Sequence, residues 1–345
     1  MLVLGMESSC DETSAAVVED GRTVRSNIIN SQIQIHQRYG GVVPEIASRC
    51  HVESICEVTE QALETANVSL GDIDAVAVTY GPGLVGALLT GLSYAKGLAY
   101  ATKKPIIGVH HIEGHVCSNY LNDGINSPFE PPFVCLIVSG GHTHIVYVSG
   151  YGSYEVLGKT ADDAAGEAYD KVARTMGLSY PGGVMIDRLA KDGNPHAIDF
   201  PRAMINSEDF NFSFSGLKSA VINYLHRMDM LKQSVNKADV AASFQQSVVD
   251  VLVKKSIAAC KSVGCKTLAL AGGVSANSAL RREMSAACTE NGIAFKAPML
   301  EYCTDNAAMI ASCGYFNYTY GGDAVSGLAL NAYPSLKIGE KIGKK

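Results

Sequence analysis

Two histidines four residues apart carry the clearest chemistry in this chain of 345 residues. They are His111 and His115, within the run His-His-Ile-Glu-Gly-His at 110–115. On a helix, residues i and i+4 lie on one face, close enough to share a cation. Neutral imidazole is a common ligand for zinc, iron, copper and nickel. The spacing therefore favours a metal site over two separately hydrogen-bonded histidines.

A carboxylate far along the chain, Asp305, is the candidate third ligand. Two histidines and one carboxylate leave positions open on a metal, as in non-haem iron sites. The alternative is that Thr304 or Asp305 caps the helix predicted to follow. Spacing alone does not choose between a ligand and a cap.

Glu113 argues against a peptidase of the zinc class. Those enzymes carry a glutamate directly after the first histidine, where it acts as the general base. Here Glu113 follows His111 by two positions, about 200° around a helix of 3.6 residues per turn. It is therefore predicted to point away from a metal held by His111 and His115.

Three turns of small residues lie at predicted strand ends, at 8–13, 139–143 and 272–277. Such turns leave backbone N–H groups free to bind an anion, which larger side chains would block. None matches the P-loop pattern. We expect the first two turns to clasp the phosphates of a nucleotide and the third to pack against its base or ribose, although each alone reads as an ordinary turn.

The two halves of the chain repeat one plan. Strands are predicted at 2–7, 14–18, 23–29, 74–79 and 105–109, and again at 133–138, 144–148, 154–157 and 266–271; helices are predicted at 43–67, at 85–101 and from 278. Each half holds three strands joined by turns and a strand–Gly-rich turn–helix unit. The repeat predicts two similar α/β lobes with a ligand cleft between them.

The middle of the chain offers further polar candidates. Asp162 and Asp163 precede a predicted helix, where acids stabilise the helix dipole or cap it. Asp170 is predicted in the third turn, beyond that effect, and Asp187 at the start of the next helix. These two acids are candidates for binding ribose hydroxyls. The segment 211–218 alternates polar and aromatic residues and suits either an ordered loop or a binding segment.

Composition narrows the class of protein. Apolar residues make up 47% and charged residues 18%, which is typical of a globular chain. No apolar run approaches the roughly 18 residues of a membrane span. The N-terminus reads as a strand, and ten cysteines without a Cys-x-x-Cys pair suit a reducing cytosol. With a net charge of −6, any polyanion must bind locally or with help from a partner.

The motifs together resemble the TsaD family, also called the Gcp or glycoprotease-like family. The resemblance includes Gly-Met-Glu-Ser-Ser-Cys-Asp-Glu-Thr at 5–13 and Val-Ser-Gly-Gly-His-Thr at 138–143. Matching segments are 5–13, 39–49, 81–88, 110–115, 138–143, 162–171, 180–183, 212–218, 271–277 and 303–306. They span nearly the whole chain, and no motif position departs from the pattern.

The resemblance implies a duplicated α/β fold of the actin, Hsp70 and sugar-kinase type, with two RNase H-like lobes. It implies transfer of a threonylcarbamoyl group from threonylcarbamoyl-AMP to N6 of adenosine 37, in tRNAs that read codons beginning with A. It also implies a paralogous partner (TsaB-like), a small ATPase (TsaE-like) and a cytoplasmic location.

Site residues follow from the same resemblance. It implies one divalent metal, usually iron, with zinc or magnesium as substitutes in vitro, held by His111, His115 and Asp305. Substrate contacts are implied for Ile137, Val138, Ser139, Gly140, Gly141, Asp170, Gly183, Asp187 and Asn277. The chemistry adds Asp11 and Glu12 as candidate general bases, since a carboxylate near the carbamoyl carbon can accept the N6 proton.

We expect an N-terminal lobe at 1–110, with 306–345 packing back on it, and a C-terminal lobe at 111–305. Two other classes of function remain open at the level of sequence. One is a metallopeptidase, which the Glu113 position disfavours. The other is an ATPase or phosphotransferase, which the expected fold permits.

Overall fold

The computed structural model describes residues 1–122, 128–321 and 327–340. The strands are β1 Leu2–Glu7, β2 Glu12–Glu19, β3 Thr23–Ser31, β4 Ala75–Gly81, β5 Ile106–His110, β6 Phe133–Val138, β7 Thr143–Gly150, β8 Ser153–Lys159, β9 Thr267–Ala271 and β10 Ala294–Lys296. The helices are α1 Ile33–His36, α2 Pro44–Ala66, α3 Val85–Thr102, α4 His111–Cys117, α5 Ala165–Thr175, α6 Gly182–Ala190, α7 Ser215–Met230, α8 Lys237–Ser262, α9 Ser278–Glu290 and α10 Ala307–Tyr320.

The first sheet has the strand order β3-β2-β1-β4-β5. Strand β1 runs antiparallel to β2 and parallel to β4, and β4 runs parallel to β5. The carboxyl ends of β1, β4 and β5 therefore meet at one edge of the sheet, the usual position for a site in such folds. Strand β1 ends at Glu7, and β5 runs directly into the histidine helix α4 at that edge.

The second sheet repeats the first. Its order, β10-β9-β6-β7-β8, read backwards matches the first sheet strand for strand. The pairs β6–β9 and β9–β10 are parallel, like β1–β4 and β4–β5. This confirms the predicted duplication and the fold class. The sequence prediction lacked β10, because three residues are too few to show an alternating pattern.

The two long helices of the first half begin and end where local chemistry dictates. Pro44 occupies the first turn of α2, where its missing N–H costs nothing. Asn67 and Lys103 follow α2 and α3 in the left-handed conformation, with φ of 54° and 56°. The helix predictions at 43–67 and 85–101 are confirmed within one or two residues.

Contacts divide the chain into two compact units. The first comprises the described residues of 1–131, 148–154 and 298–345, and the second comprises 132–147 and 155–297. The expected boundary after residue 110 placed both His111 and His115 in the C-terminal lobe. In the structure, both histidines and Asp305 belong to the first.

Two predicted helix positions were wrong. Helix α5 begins at Ala165, so Asp170 lies in its second turn rather than its third. Helix α6 begins at Gly182, within the Gly-Gly turn itself, so Asp187 lies in mid-helix. Across the described ranges, we find no helix with the length and apolar character needed to cross a bilayer.

Gly5 provides a test of how β1 packs on α10. A Cβ at Gly5 would lie 2.4 Å from the Ala307 carbonyl oxygen and 2.7 Å from the Ala311 nitrogen. Overpacking of this kind typically costs about 1–3 kcal/mol, and Gly5→Ala should lower the free energy of unfolding by at least that much. In the control Gly97→Ala, on α3, the new methyl meets nothing within 4 Å. Urea unfolding that gave both variants wild-type stability would contradict this packing.

Candidate metal centre and Gly-rich turns

Helix α4 displays the histidine pair as predicted. It follows β5 without a loop, and the His110 side chain caps it by accepting the Ile112 N–H at 3.1 Å. His111 is the first helical residue, and His115 lies one turn on. Their ring centroids are 4.7 Å apart. The i, i+4 spacing thus places both imidazoles on one face.

Asp305 lies beside both imidazoles. Its Oδ1 atom is 3.1 Å from Nε2 of His115 and 3.6 Å from Nε2 of His111. One ligand atom from each residue falls within 4.8 Å of the others. The N-cap of α10 is Asn306, which accepts the Met309 N–H at 3.0 Å. The capping alternative for Asp305 and Thr304 was therefore wrong.

His115 indicates what the cluster is for. It is fully buried, and neither ring nitrogen has a hydrogen-bond partner among the described residues. Its Nε2 lies 3.1 Å from the carboxylate without hydrogen-bond geometry. Leaving buried nitrogens unsatisfied costs about 1–3 kcal/mol each. The Nε2 atom beside Asp305 suits a lone pair directed at a shared cation, so the residues fit a metal.

Glu7, at the end of β1, fixes the first histidine. Its carboxylate accepts Nδ1–H of His111 at 3.0 Å, the Thr79 hydroxyl at 2.7 Å and the Ser9 N–H at 2.5 Å. Because Nδ1 carries the proton, Nε2 faces the cluster with its lone pair, the usual outer-shell arrangement at metal sites. Sequence reasoning missed this role, although an acid closing a buried apolar strand was the available signal.

Charge couples these groups in the metal-free protein. Burial raises the pKa of Glu7, but attraction to His111 and their hydrogen bond outweigh it, so the net shift is downward. Burial likewise lowers the pKa of His111, yet Asp305 and Glu7 raise it to about 9. A proton on His111 thus supplies part of the positive charge that a bound cation would supply.

The candidate bases lie in the same acidic surroundings. Asp11 is almost fully buried, and Glu12 accepts the Ser31 hydroxyl at 3.0 Å. Burial, followed by the charges of Asp305 and Asp11, raises the pKa of Glu12 to about 10. Without a cation, this shift favours the protonated form of Glu12. Crowded carboxylates of this kind are stabilised by a bound cation, which is a second sign of a metal.

In the second unit, a Gly-rich turn follows β6. Ser139 closes it, donating its N–H to the His142 carbonyl at 2.8 Å and accepting the His142 N–H on its hydroxyl. A Cβ at Gly140 or Gly141 would meet nothing within 4 Å, and neither residue has a left-handed φ. The fold itself does not need glycine here, which supports an approaching ligand as the reason. Ile137 and Val138 are fully buried in β6.

The other nucleotide-site candidates surround this turn. The register Ile137↔Ala271 places the turn at 272–277 beside it. Hydrogen bonds continue outward from the Ser139 carbonyl to α5, from α5 to α6 and from α6 to α9. These bonds are Gly166 N–H to Ser139 O at 3.2 Å, Gly182 N–H to Asp170 Oδ1 at 2.8 Å and Ser278 Oγ–H to Asp187 Oδ1 at 2.9 Å. The structure thus brings together candidates from four elements.

Several of these side chains also have structural roles. Asn277 caps α9 by accepting the Leu280 N–H at 2.9 Å, and its amide donates to Gln245 at 2.7 Å. Asp170 and Asp187 join helices, as described above. At Gly183 a Cβ would come no closer than 3.8 Å to the Tyr169 Cβ, so close packing does not require glycine.

The paired acids before α5 do not cap that helix. Asp162 instead accepts the hydroxyls of Ser213 and Ser215 at 2.6 Å each and the Phe214 N–H at 2.9 Å, at the start of α7. Asp163 pairs with Lys171 and Lys218. Phe212 and Phe214 are buried. The segment 211–218 is therefore anchored in the fold, which favours the ordered loop.

Solved structures identify the fold class of this chain. Component A of the (R)-2-hydroxyglutaryl-CoA dehydratase of Acidaminococcus fermentans matches with a TM-score of 0.53 at 14% identity, over 94% of this chain and 100% of that one. HypF of T. kodakarensis matches with a TM-score of 0.61 at 14% identity, over 93% of this chain and 48% of its own. These matches agree with the duplicated two-sheet fold.

The family follows from sequence. The model of the family TsaD, tRNA N6-adenosine threonylcarbamoyltransferase, matches residues 23–312. The enzyme of that name from Clostridium botulinum (strain Kyoto / Type A2) is 58% identical over 339 residues, 98% of each chain. Its counterpart from Clostridium perfringens (strain SM101 / Type A) is 57% identical over 340 residues, 99% of each chain. The chain belongs to this family of enzymes.

The metal cluster yields a first test at the site. His111→Ala and Asp305→Ala should each weaken metal binding by more than the roughly 10- to 100-fold typical of losing an outer-shell partner, and melting should show folded protein. Glu113→Gln, on the same helix, is the matched control, because Glu113 accepts the Gly339 N–H at 3.3 Å instead of joining the cluster. Full metal occupancy in an alanine variant, by elemental analysis, would remove that residue from the site.

The Gly-rich turn at 139–143 provides a second test. Gly140→Val should weaken AMP binding at least ~10-fold, or about 1.4 kcal/mol, without changing the melting temperature, because its side chain enters open space. Gly166→Ala is the contrast, since its Cβ would lie 2.5 Å from the Ser139 carbonyl oxygen; that variant should lose stability. If calorimetry shows Gly140→Val binding AMP like wild type, the turn is not a phosphate cradle.

Proposed function

We propose that this enzyme transfers the threonylcarbamoyl group of threonylcarbamoyl-AMP to N6 of adenosine 37 in tRNAs reading codons that begin with A. The observation that carries the proposal is 58% identity, across 98% of both chains, to a curated tRNA N6-adenosine threonylcarbamoyltransferase. A cytoplasmic location is proposed, because the substrate is tRNA. With an acidic net charge, the tRNA is proposed to bind at a local surface of the enzyme with help from basic surface on partners.

The cluster of His111, His115 and Asp305 is proposed to hold one divalent metal. Two imidazoles and a carboxylate suit iron, and zinc accepts the same atoms, whereas magnesium prefers oxygen ligands. When bound, the metal supplies a Lewis acid that neutralises the phosphate charge of the leaving AMP. Glu7 holds His111 in the tautomer that this requires.

Asp11 and Glu12 are proposed to handle the proton of the attacking amine. Adenine N6 is a weak nucleophile because its lone pair is delocalised into the ring, so positioning supplies much of the rate. A carboxylate is the available acceptor for the N6 proton. Glu12 can act only when ionised, and a nearby cation lowers its raised pKa toward that state.

The backbone N–H groups at 139–141 are proposed to bind the donor phosphate. The open space over Gly140 and Gly141 supports this role. Backbone at Ile137, Val138 and Gly183 and the side chains of Asp170, Asp187 and Asn277 are proposed to shape the rest of the nucleotide site. The hydrogen bonds of Asp170, Asp187 and Asn277 hold the surrounding helices in place.

A peptidase receives no support from the site. Glu113 accepts a hydrogen bond from the Gly339 N–H rather than facing the histidines. Helix α4, all of which the structure describes, therefore offers no carboxylate base facing the proposed metal. No observation favours a phosphotransferase over the acyl transfer.

A TsaB-like paralogue is proposed to dock on the exposed face of α2 and α3, with a TsaE-like ATPase completing the assembly. Val52 and Leu89 on this face are 64% and 43% exposed. Between the helices lies an open groove of about 490 Å³ lined by Val52, Ile55, Cys56, Leu89, Thr90, Ser93 and Tyr94. A paralogue would carry an equivalent helix pair, which can pack against this one.

The transfer itself is tested by mass spectrometry of tRNA nucleosides. Unmodified tRNA is incubated with threonylcarbamoyl-AMP, metal-loaded enzyme and the partner proteins, then digested. The proposal predicts threonylcarbamoylated adenosine. Its absence, in a run where the Clostridium botulinum relative forms it, would overturn the proposal, as would rapid cleavage of casein by the enzyme alone.

The acidic turn should matter for chemistry more than for binding. Removing a general base typically lowers the rate by about 10²- to 10⁴-fold, roughly 3 to 5 kcal/mol. Asp11→Asn or Glu12→Gln should lower the single-turnover rate in that range, with donor affinity within a few fold. A loss of metal together with rate would indicate that the acid serves the cation. Wild-type rates in both variants would end the general-base role.

A charge introduced into the groove between α2 and α3 should weaken binding of the paralogue. Val52→Asp places a carboxylate in the groove and should weaken binding of the paralogue at least ~10-fold, or about 1.4 kcal/mol. Val184→Asp on α6 is the matched control, because Val184 is 66% exposed. Calorimetric titration of both variants with the paralogue decides. Equal affinities would place the partner elsewhere.

A further inference from the structure

We infer that His51 is a positioning residue that clasps the acidic turn and links it to the exposed face of α2 and α3. The inference deepens the proposed function, since it rests on the roles given to Asp11 and Glu12. His51 was not among the candidates drawn from sequence. It lies on α2, and the next residue along the helix, Val52, lines the groove.

His51 makes two hydrogen bonds to the turn. It is fully buried, with Nε2 2.9 Å from the Cys10 carbonyl oxygen and Nδ1 2.7 Å from the Thr13 hydroxyl. A carbonyl oxygen only accepts, so Nε2 carries a proton. In the neutral imidazole Nδ1 then accepts from the Thr13 hydroxyl, which defines one tautomer. Burial, which lowers the pKa of His51, favours the same state.

The two contacts bracket the candidate bases. Cys10 immediately precedes Asp11, and Thr13 immediately follows Glu12. One rigid ring therefore joins the residue before the acidic pair to Thr13, the second residue of β2. The charges of Asp305 and Asp11 oppose ionisation of Glu12, so this bridge holds the pair in place when Glu12 ionises. A neutral ring can hold the turn without cancelling the negative charge that a cation requires.

The second helix of the groove holds the same turn. The Ser8 hydroxyl donates to the Ala87 carbonyl at 2.9 Å, and the Leu84 N–H donates to the Ser9 carbonyl at 2.8 Å. Ala87 lies on α3 and Leu84 is its N-cap. Both helices that flank the groove are therefore bonded to the turn at 8–13. A paralogue seated in the groove fixes the spacing of α2 and α3 and thereby orders the acidic turn.

His51→Gln tests this inference in the full-length enzyme. Glutamine carries its donor and acceptor on one end, so it cannot reach Cys10 and Thr13 together. Hydrogen–deuterium exchange of the peptide covering 8–13 should be about 10-fold faster in the variant, as for a lost interaction of about 1.4 kcal/mol. The single-turnover rate should fall about as much, with the KM for donor within two-fold. Metal content should be unchanged.

Val58→Ala is the matched control. Val58 is buried on α2 two turns beyond His51 and does not belong to the turn. Its truncation lowers stability without breaking the clasp, so exchange at 8–13 and the rate should remain as in wild type. If both variants change exchange and rate alike, His51 serves only stability and the positioning role is overturned.

Adding the TsaB-like paralogue tests the link to the groove. In wild type it should slow exchange at 8–13. His51→Gln keeps the bonds to α3 and should bind the paralogue with unchanged affinity, but the slowing should be smaller. Slowing of equal size in His51→Gln would overturn the link. Hydrogen–deuterium exchange of the enzyme alone can be measured even if the enzyme makes no modified nucleoside. A failure of this inference can therefore be distinguished from a failure of the proposed function.

Discussion

One buried carboxylate holds the cluster of His111, His115 and Asp305 in place. Glu7 ends β1, and its oxygens accept hydrogen bonds from β4, through Thr79, and from α4, through His111. An isolated buried charge is expensive, so these donors must stay in position around it. The first residue of α4 is thereby tied to the sheet edge, and its Nε2 is left facing Asp305. The acidic turn follows directly from the same strand.

The repeated topology explains why two kinds of candidate site arise from one plan. In each sheet, parallel strands end at a common edge, and whatever follows them is brought together there. In the first unit the edge carries Glu7, the acidic turn and the histidine helix. In the second, the equivalent strands β6 and β9 end in turns of small residues whose N–H groups suit an anion. The difference lies in side chains, since the backbone order is shared.

Sequence reasoning predicted most of the fold and the placement of His111 and His115 on one helix face, because strand patterns and an i, i+4 histidine pair are local signals. It misplaced the starts of α5 and α6, and with them the positions of Asp170 and Asp187 within those helices. It also missed the partners of Asp162, which accepts hydrogen bonds at the start of α7 about fifty residues on. The roles of Glu7 and His51 depend on packing between separate elements, which no spacing encodes. The assignment of Asp305 as a ligand rather than a helix cap came from the resemblance. In the structure its Oδ1 lies 3.1 Å from Nε2 of His115, and Asn306 caps α10.

The most direct measurement is the metal affinity of Glu7→Gln, compared with wild type by calorimetric titration of ferrous ion under anaerobic conditions. The substitution keeps the side chain's shape but removes the charge that holds the His111 tautomer. Loss of an outer-shell partner typically weakens metal binding by about 10- to 100-fold, and that is the result expected here with the protein still folded. Wild-type affinity in Glu7→Gln would contradict the claim that this carboxylate organises the site.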